Sequence, residues 1–153
     1  MFQPKTLIYF FDFFFKNGNT AKPKYFLVLG QIDNRTVIAS LPTRTNQAPN
    51  FVSGHGCIDI EERCINCYAF AAKRSICDNG FAFDLPTYIY GSQVEDYEIS
   101  ILEDTYRIEG IDYEIYGTMK DDEFCAIIDC IQNSSATKRK IKKMLMSSKN
   151  GEA

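Results

Sequence analysis

Residues 22–45 read KPKYFLVLGQIDNRTVIASLPTRT, and this stretch decides the fold. Tyr25–Leu29 is an unbroken apolar run of strand length, and Pro23 keeps a helix from continuing into it. Gly30 to Asn34 supplies turn residues, and Thr36–Leu41 returns as a second strand, so the pair predicts a β-hairpin. Lys22 and Lys24 lead into the first strand, and Thr43, Arg44 and Thr45 leave the second. A basic residue and a hydroxyl delivered from neighbouring strand ends are the parts of a phosphate-handling site that needs no metal.

Outward from the hairpin, Leu7, Ile8, Phe10, Phe11, Phe14 and Phe15 recur at helical spacing and predict an N-terminal helix. The run contains Asp12, has no small-residue cleavage site and is too short to span a bilayer, so it predicts neither a leader nor an anchor. Residues 42–56 are expected to form a polar loop punctuated by Pro and Gly, of a length that in a small domain is usually functional or mobile. Short strands are expected at Cys57–Ile60, Asn66–Ala71, Arg74–Cys77, Phe81–Asp84, Thr87–Tyr90 and Asp112–Gly117, while 91–110 fits strand or helix. Phe124, Ile127, Ile128 and Ile131 predict a helix from Lys120 to Ile131. Ser134 or Ser135 caps a last one bearing Ile141, Met144 and Leu145. The expected architecture is mainly β (α+β), a small antiparallel barrel with an N-terminal helix and C-terminal helices. It occupies one domain over 1–146, and 147–153 is expected to fray.

Net charge is −3, so no global basic surface announces a nucleic-acid partner. The charge is segregated, however: 95–123 is strongly acidic and TKRKIKK at 137–143 strongly basic. Glu95, Asp96, Glu98, Glu103 and Asp104 read as surface charge. The basic stretch suits either RNA phosphate, an acidic partner segment, or a solvated helix face. Six cysteines without a leader predict free thiols in a reduced, cytoplasmic protein. His55-x-Cys57 and Cys64-x-x-Cys67 carry zinc-ligand residue types but lack a partner pair at diagnostic distance, so no metal and no cofactor is assigned.

The basic-Pro lead-in, the aliphatic strand and the second strand ending in Thr resemble the opening of the MazF/PemK-like toxins of type II and type III toxin–antitoxin systems. AKRSICD at 72–78 resembles that family's later strand, in which an Arg-Ser or Arg-Thr pair precedes an Asp. The resemblance covers roughly residues 20–80. It departs from the family at Lys22-Pro23, where Arg-Pro is usual, and at Pro42, just before Thr43. It implies an SH3-like barrel and a metal-independent endoribonuclease that cleaves single-stranded RNA. A homodimer is implied too, neutralised by a protein or RNA antitoxin.

Such cleavage uses the RNA's own 2′-hydroxyl as nucleophile, so the protein must stabilise phosphorane charge and move two protons. The resemblance assigns Lys24 as the charge stabiliser, with Lys22 as the alternative base, and Thr43 as a hydrogen-bond donor. Arg44 or Arg74 can hold a phosphate bidentately, with Thr45 and Ser75 in support. Phe51 and His55 are candidates for base stacking or acid work, although a solitary histidine in a polar loop is ordinarily just exposed. The alternative reading is a non-catalytic SH3-like module that binds RNA or protein.

Overall fold

The computed structural model describes residues 2–14, 18, 20–42, 54–60 and 65–151. Strands β1 (Thr6–Phe13), β2 (Lys22–Ile32), β3 (Arg35–Ser40), β7 (Val94–Glu98) and β8 (Tyr113–Thr118) form one antiparallel sheet, in the order β7-β3-β2-β1-β8. Strands β4 (Gly56–Ile60), β5 (Ile65–Phe70) and β6 (Thr87–Tyr90) form a second sheet in chain order. Helices α1 (Ile99–Thr105), α2 (Asp121–Gln132) and α3 (Arg139–Gly151) complete a small α+β fold. Neither sheet closes on itself among the described residues.

The N-terminal segment is a strand, not the helix its spacing predicted. β1 lies between β2 and β8, with Leu7 opposite Leu27 and Ile8 opposite Phe26. Both faces of β1 are buried. Leu7 joins Leu27, Leu29 and Ala39 in one core, and Ile8, Phe10 and Phe13 join Phe26, Val28 and Ile38 in another. A strand covered on both faces is apolar at nearly every position, and such a run satisfies helical intervals as readily as strand pairing.

The first core lies under α2, α3 and the small sheet, through Phe70, Ile89, Ile127, Ile131 and Leu145. The second lies under α1, where Ile99, Leu102 and Tyr106 cover Phe10, Phe13 and Phe26. Phe13 and Tyr106 stack with centroids 5.6 Å apart, and the Phe14 N–H donates to the Tyr106 hydroxyl at 2.9 Å. Each fully buried Phe contributes about 1.5–3 kcal/mol by leaving water.

The β2–β3 hairpin forms as expected, turning through Asp33–Asn34 with Asp33 at φ 50°, a conformation Asp tolerates. Asn34 also sets the start of α1: its carbonyl accepts the Ile99 N–H at 2.8 Å and its Oδ1 the Ser100 N–H at 3.2 Å. The ambiguous 91–110 region holds both readings in turn, strand β7 and then helix α1.

Arg74–Cys77 and Phe81–Asp84 are not strands. They flank the turn at Asp78–Gly80, and only Cys77 makes a bridge, to Met119. Neither Ser134 nor Ser135 caps the last helix. The buried Ser134 hydroxyl accepts the Ala136 N–H at 3.1 Å, and α3 begins at Arg139. α3 runs to Gly151, and Ser148, within the stretch expected to fray, is buried and accepts the Gln31 N–H at 3.1 Å. A Cβ at Gly30 would stand 3.0 Å from the Ser148 hydroxyl oxygen, so glycine permits this close approach.

The segregated charges meet each other. Asp96 is buried rather than a surface charge. It accepts from Arg35 Nη2 at 2.6 Å and lies 3.4 Å from Lys140 Nζ of the basic stretch, while Lys138 pairs with Glu95. Among the described residues, no helix is long and apolar enough to cross a membrane.

Candidate functional site

Lys22 and Lys24 open β2, opposite Phe13 and Phe10 of β1. On the other side Phe26 pairs with Ser40, and the Leu41 N–H donates to the Tyr25 carbonyl at 3.0 Å. The end of β3 is thereby held beside the start of β2. Pro42 then leaves the large sheet, its carbonyl accepting the Tyr88 N–H of β6 at 3.1 Å. Thr43, Arg44, Thr45 and Phe51 lie outside the described residues, as does Cys64. The Tyr25 ring meets Phe83 at 5.3 Å and Tyr116 at 5.4 Å. Lys24, one residue earlier on an extended strand, projects to the opposite face, that of Phe26 and Phe10.

His55 is not an ordinary exposed loop histidine. Its side chain is 10% exposed and meets Glu123 of α2, itself 12% exposed, with Nε2 and Oε1 2.7 Å apart. Its Nδ1 accepts the Ala71 N–H at 3.1 Å, so the ring proton resides on Nε2 and is donated to Glu123. Tyr68 of β5 donates its hydroxyl to the other carboxylate oxygen at 2.7 Å. Burial, then its bond to Glu123, push the Tyr68 phenol well above its ordinary value, and the nearby Arg74 charge pulls it partly back.

This circuit is closed. Both imidazole nitrogens and both carboxylate oxygens are engaged within the protein, so the arrangement holds β4, β5 and α2 together rather than presenting a spare base. Ser75 is nearby, half-buried, and its carbonyl accepts from Lys120 Nζ at 3.5 Å. Rings carry this side of the sheet from His55 through Phe70 and Phe83 to Tyr25. Lys24 and His55 accordingly lie toward opposite faces of β2. Glu123 and Tyr68 were missed in the sequence because they lie 68 and 13 residues from His55 with no motif between them. Only the docking of α2 on the small sheet unites them.

The expectation of free thiols throughout is corrected by a disulfide between Cys57 of β4 and Cys130 of α2, whose Cα atoms are 5.6 Å apart. A separation of 73 residues left it invisible in the spacing. Cys67 and Cys77 are buried free thiols, both pushed up to about 11, by burial above all. Cys125 is an exposed one.

Comparison with protein-family models, with curated proteins and with solved structures returns no match.

Proposed function

We infer that the chain is a toxin-like, metal-independent endoribonuclease that cleaves single-stranded RNA through attack of the 2′-hydroxyl on the adjacent phosphorus. One observation supports it most directly: the Leu41 N–H bonded to the Tyr25 carbonyl, which aligns the exit of β3 with the residue next to Lys24. Thr43 follows two residues later in the chain. In this reading Lys24 stabilises the phosphorane and protonates the departing 5′-oxygen, and Thr43 donates to the same non-bridging oxygens. Lys22, Arg44 and Thr45 hold neighbouring phosphates. The two sheets are halves of an SH3-like barrel in which β1 is a strand. The protein works in the cytoplasm as a homodimer and is neutralised by an antitoxin of protein or RNA.

Purified protein is expected to cut single-stranded RNA equally with and without a chelator. Lys24→Ala should lower the rate by about 100-fold or more while leaving circular dichroism and melting unchanged. Cutting that stops with chelator, or full activity in Lys24→Ala, would overturn this reading.

A second reading, a non-catalytic SH3-like module that binds RNA or protein, is favoured by the closed His55–Glu123–Tyr68 circuit. The single histidine offers no nitrogen to a substrate. Retention of RNA on the folded protein, with no cleavage across varied sequences, decides for it.

A further inference from the structure

The two sheets differ in how β4 is held. The apolar core reaches β5 and β6 through Tyr68, Phe70 and Ile89, whereas no described side chain of β4 belongs to it. Among the described residues, Ile58 packs against the small cluster of Cys67, Ala69 and Tyr88 and not against the large core. β4 is also an edge strand among the described residues, paired with β5 alone. Its attachment to α2 therefore depends on two side-chain ties. One is the Cys57–Cys130 disulfide, and the other is His55, immediately before the strand, bound to Glu123. Cys57 is exposed and Cys130 is buried, so only one end of the disulfide offers itself to an external thiol.

We propose that Cys57–Cys130 is a thiol–disulfide exchange site for a dithiol reductant, and that its reduction releases β4 from α2 and opens the His55–Glu123–Tyr68 circuit. A thiolate of the dithiol attacks Sγ of Cys57, the Cys57–Cys130 bond breaks, and Cys130 departs as a thiolate that takes up a proton. The second thiol of the dithiol then attacks the mixed disulfide, releases Cys57 as a thiol and closes the reductant into its own disulfide. Two electrons and two protons pass to the protein. Cys67 sits beside Ile58 on β5 but does not intercept the exchange. Its buried thiol stays protonated at neutral pH, and the thiol is a far weaker nucleophile than the thiolate. The freed β4 keeps its ladder to β5 but loses the covalent tie that fixes His55 against Glu123.

The test compares the full chain, air-oxidised and then treated with dithiothreitol without denaturant. Alkylation and mass mapping follow Cys57 and Cys130, and hydrogen exchange follows the backbone. Reduction should label both cysteines. It should speed exchange by at least about ten-fold over 55–60 and at the Ala71 amide, with β1, β2 and β3 unchanged. Cys57→Ser/Cys130→Ser should show the same pattern with no reductant. The proposal is overturned if the oxidised protein holds no such disulfide, or if dithiothreitol fails to reduce it in the folded state. It is equally overturned if exchange stays the same or accelerates uniformly. The readout is independent of RNA cleavage, so it stands or falls apart from the endoribonuclease reading.

Discussion

The large and small sheets are held by different physics. Strands β1, β2 and β3 are sandwiched between two hydrocarbon cores, with Leu7, Leu27 and Ala39 facing one and Ile8, Phe10, Phe26 and Ile38 the other. The small sheet is apolar on β5 and β6, but its outer strand is fastened by a disulfide and a histidine–carboxylate contact. Hydrophobic burial is non-directional and spread over many atoms, so the large sheet has no single point of failure outside its largest side chains. Side-chain ties are local and chemically addressable. The difference teaches where this molecule is rigid and where its chemistry can change it.

The largest effect should come from the rigid half. Phe10 is fully buried among Phe13, Phe26 and Tyr106. Phe10→Ala should cost about 3–5 kcal/mol in denaturant unfolding, chiefly from the cavity left behind. A loss below about 1 kcal/mol would mean that the double-sided core is not what holds this sheet. Glu123→Ala, in the other half, orphans the Tyr68 hydroxyl and His55 Nε2–H together and should cost about 2 kcal/mol. The contrast sharpens if that loss comes with faster exchange confined to the small sheet, and it fails if β1–β3 loosen to the same degree.

The smallest effect concerns the charged seam between β7 and α3. Burial alone would raise the Asp96 carboxyl, but hydrogen bonds and charge from Arg35 and Lys140 outweigh it and hold the group below its ordinary 3.8. Because the folded form is depressed, this stabilisation is present above pH ~4 and is lost as pH falls through the folded value. Asp96→Asn should therefore lower stability between pH 6 and 8, where the ion pairs contribute, and flatten the acid limb of a stability–pH curve as the two proteins converge at low pH. Identical acid limbs in the two proteins would remove the seam as a contributor.

The hairpin of β2 and β3 was legible because Pro23, Gly30 and Asn34 punctuate it, and local chain chemistry reports directly on such turns. α2 was legible because it is covered on one face only, so Phe124, Ile127 and Ile131 keep a helical period. β1 was misread for the opposite reason: burial on both faces erases the period. Asp96 looked like its exposed neighbours, since nothing nearby in sequence announces Arg35 or Lys140. Among the candidate site residues, the bases and hydroxyls flanking the hairpin could be named from the chain. The circuit that joins His55 to Glu123 and Tyr68 could not.

Sequence alone determined the strand–turn–strand centre, the one-faced helix α2, and the polar residues at the hairpin's ends. Those follow from propensity and patterning within a few residues. Tertiary structure decided which cysteines meet, where the one histidine makes its hydrogen bonds, and that Lys24 and His55 lie across β2 from each other. These are consequences of α2 and the small sheet docking together over dozens of residues. Through-space contacts of that kind leave no period and no fixed spacing in a linear chain.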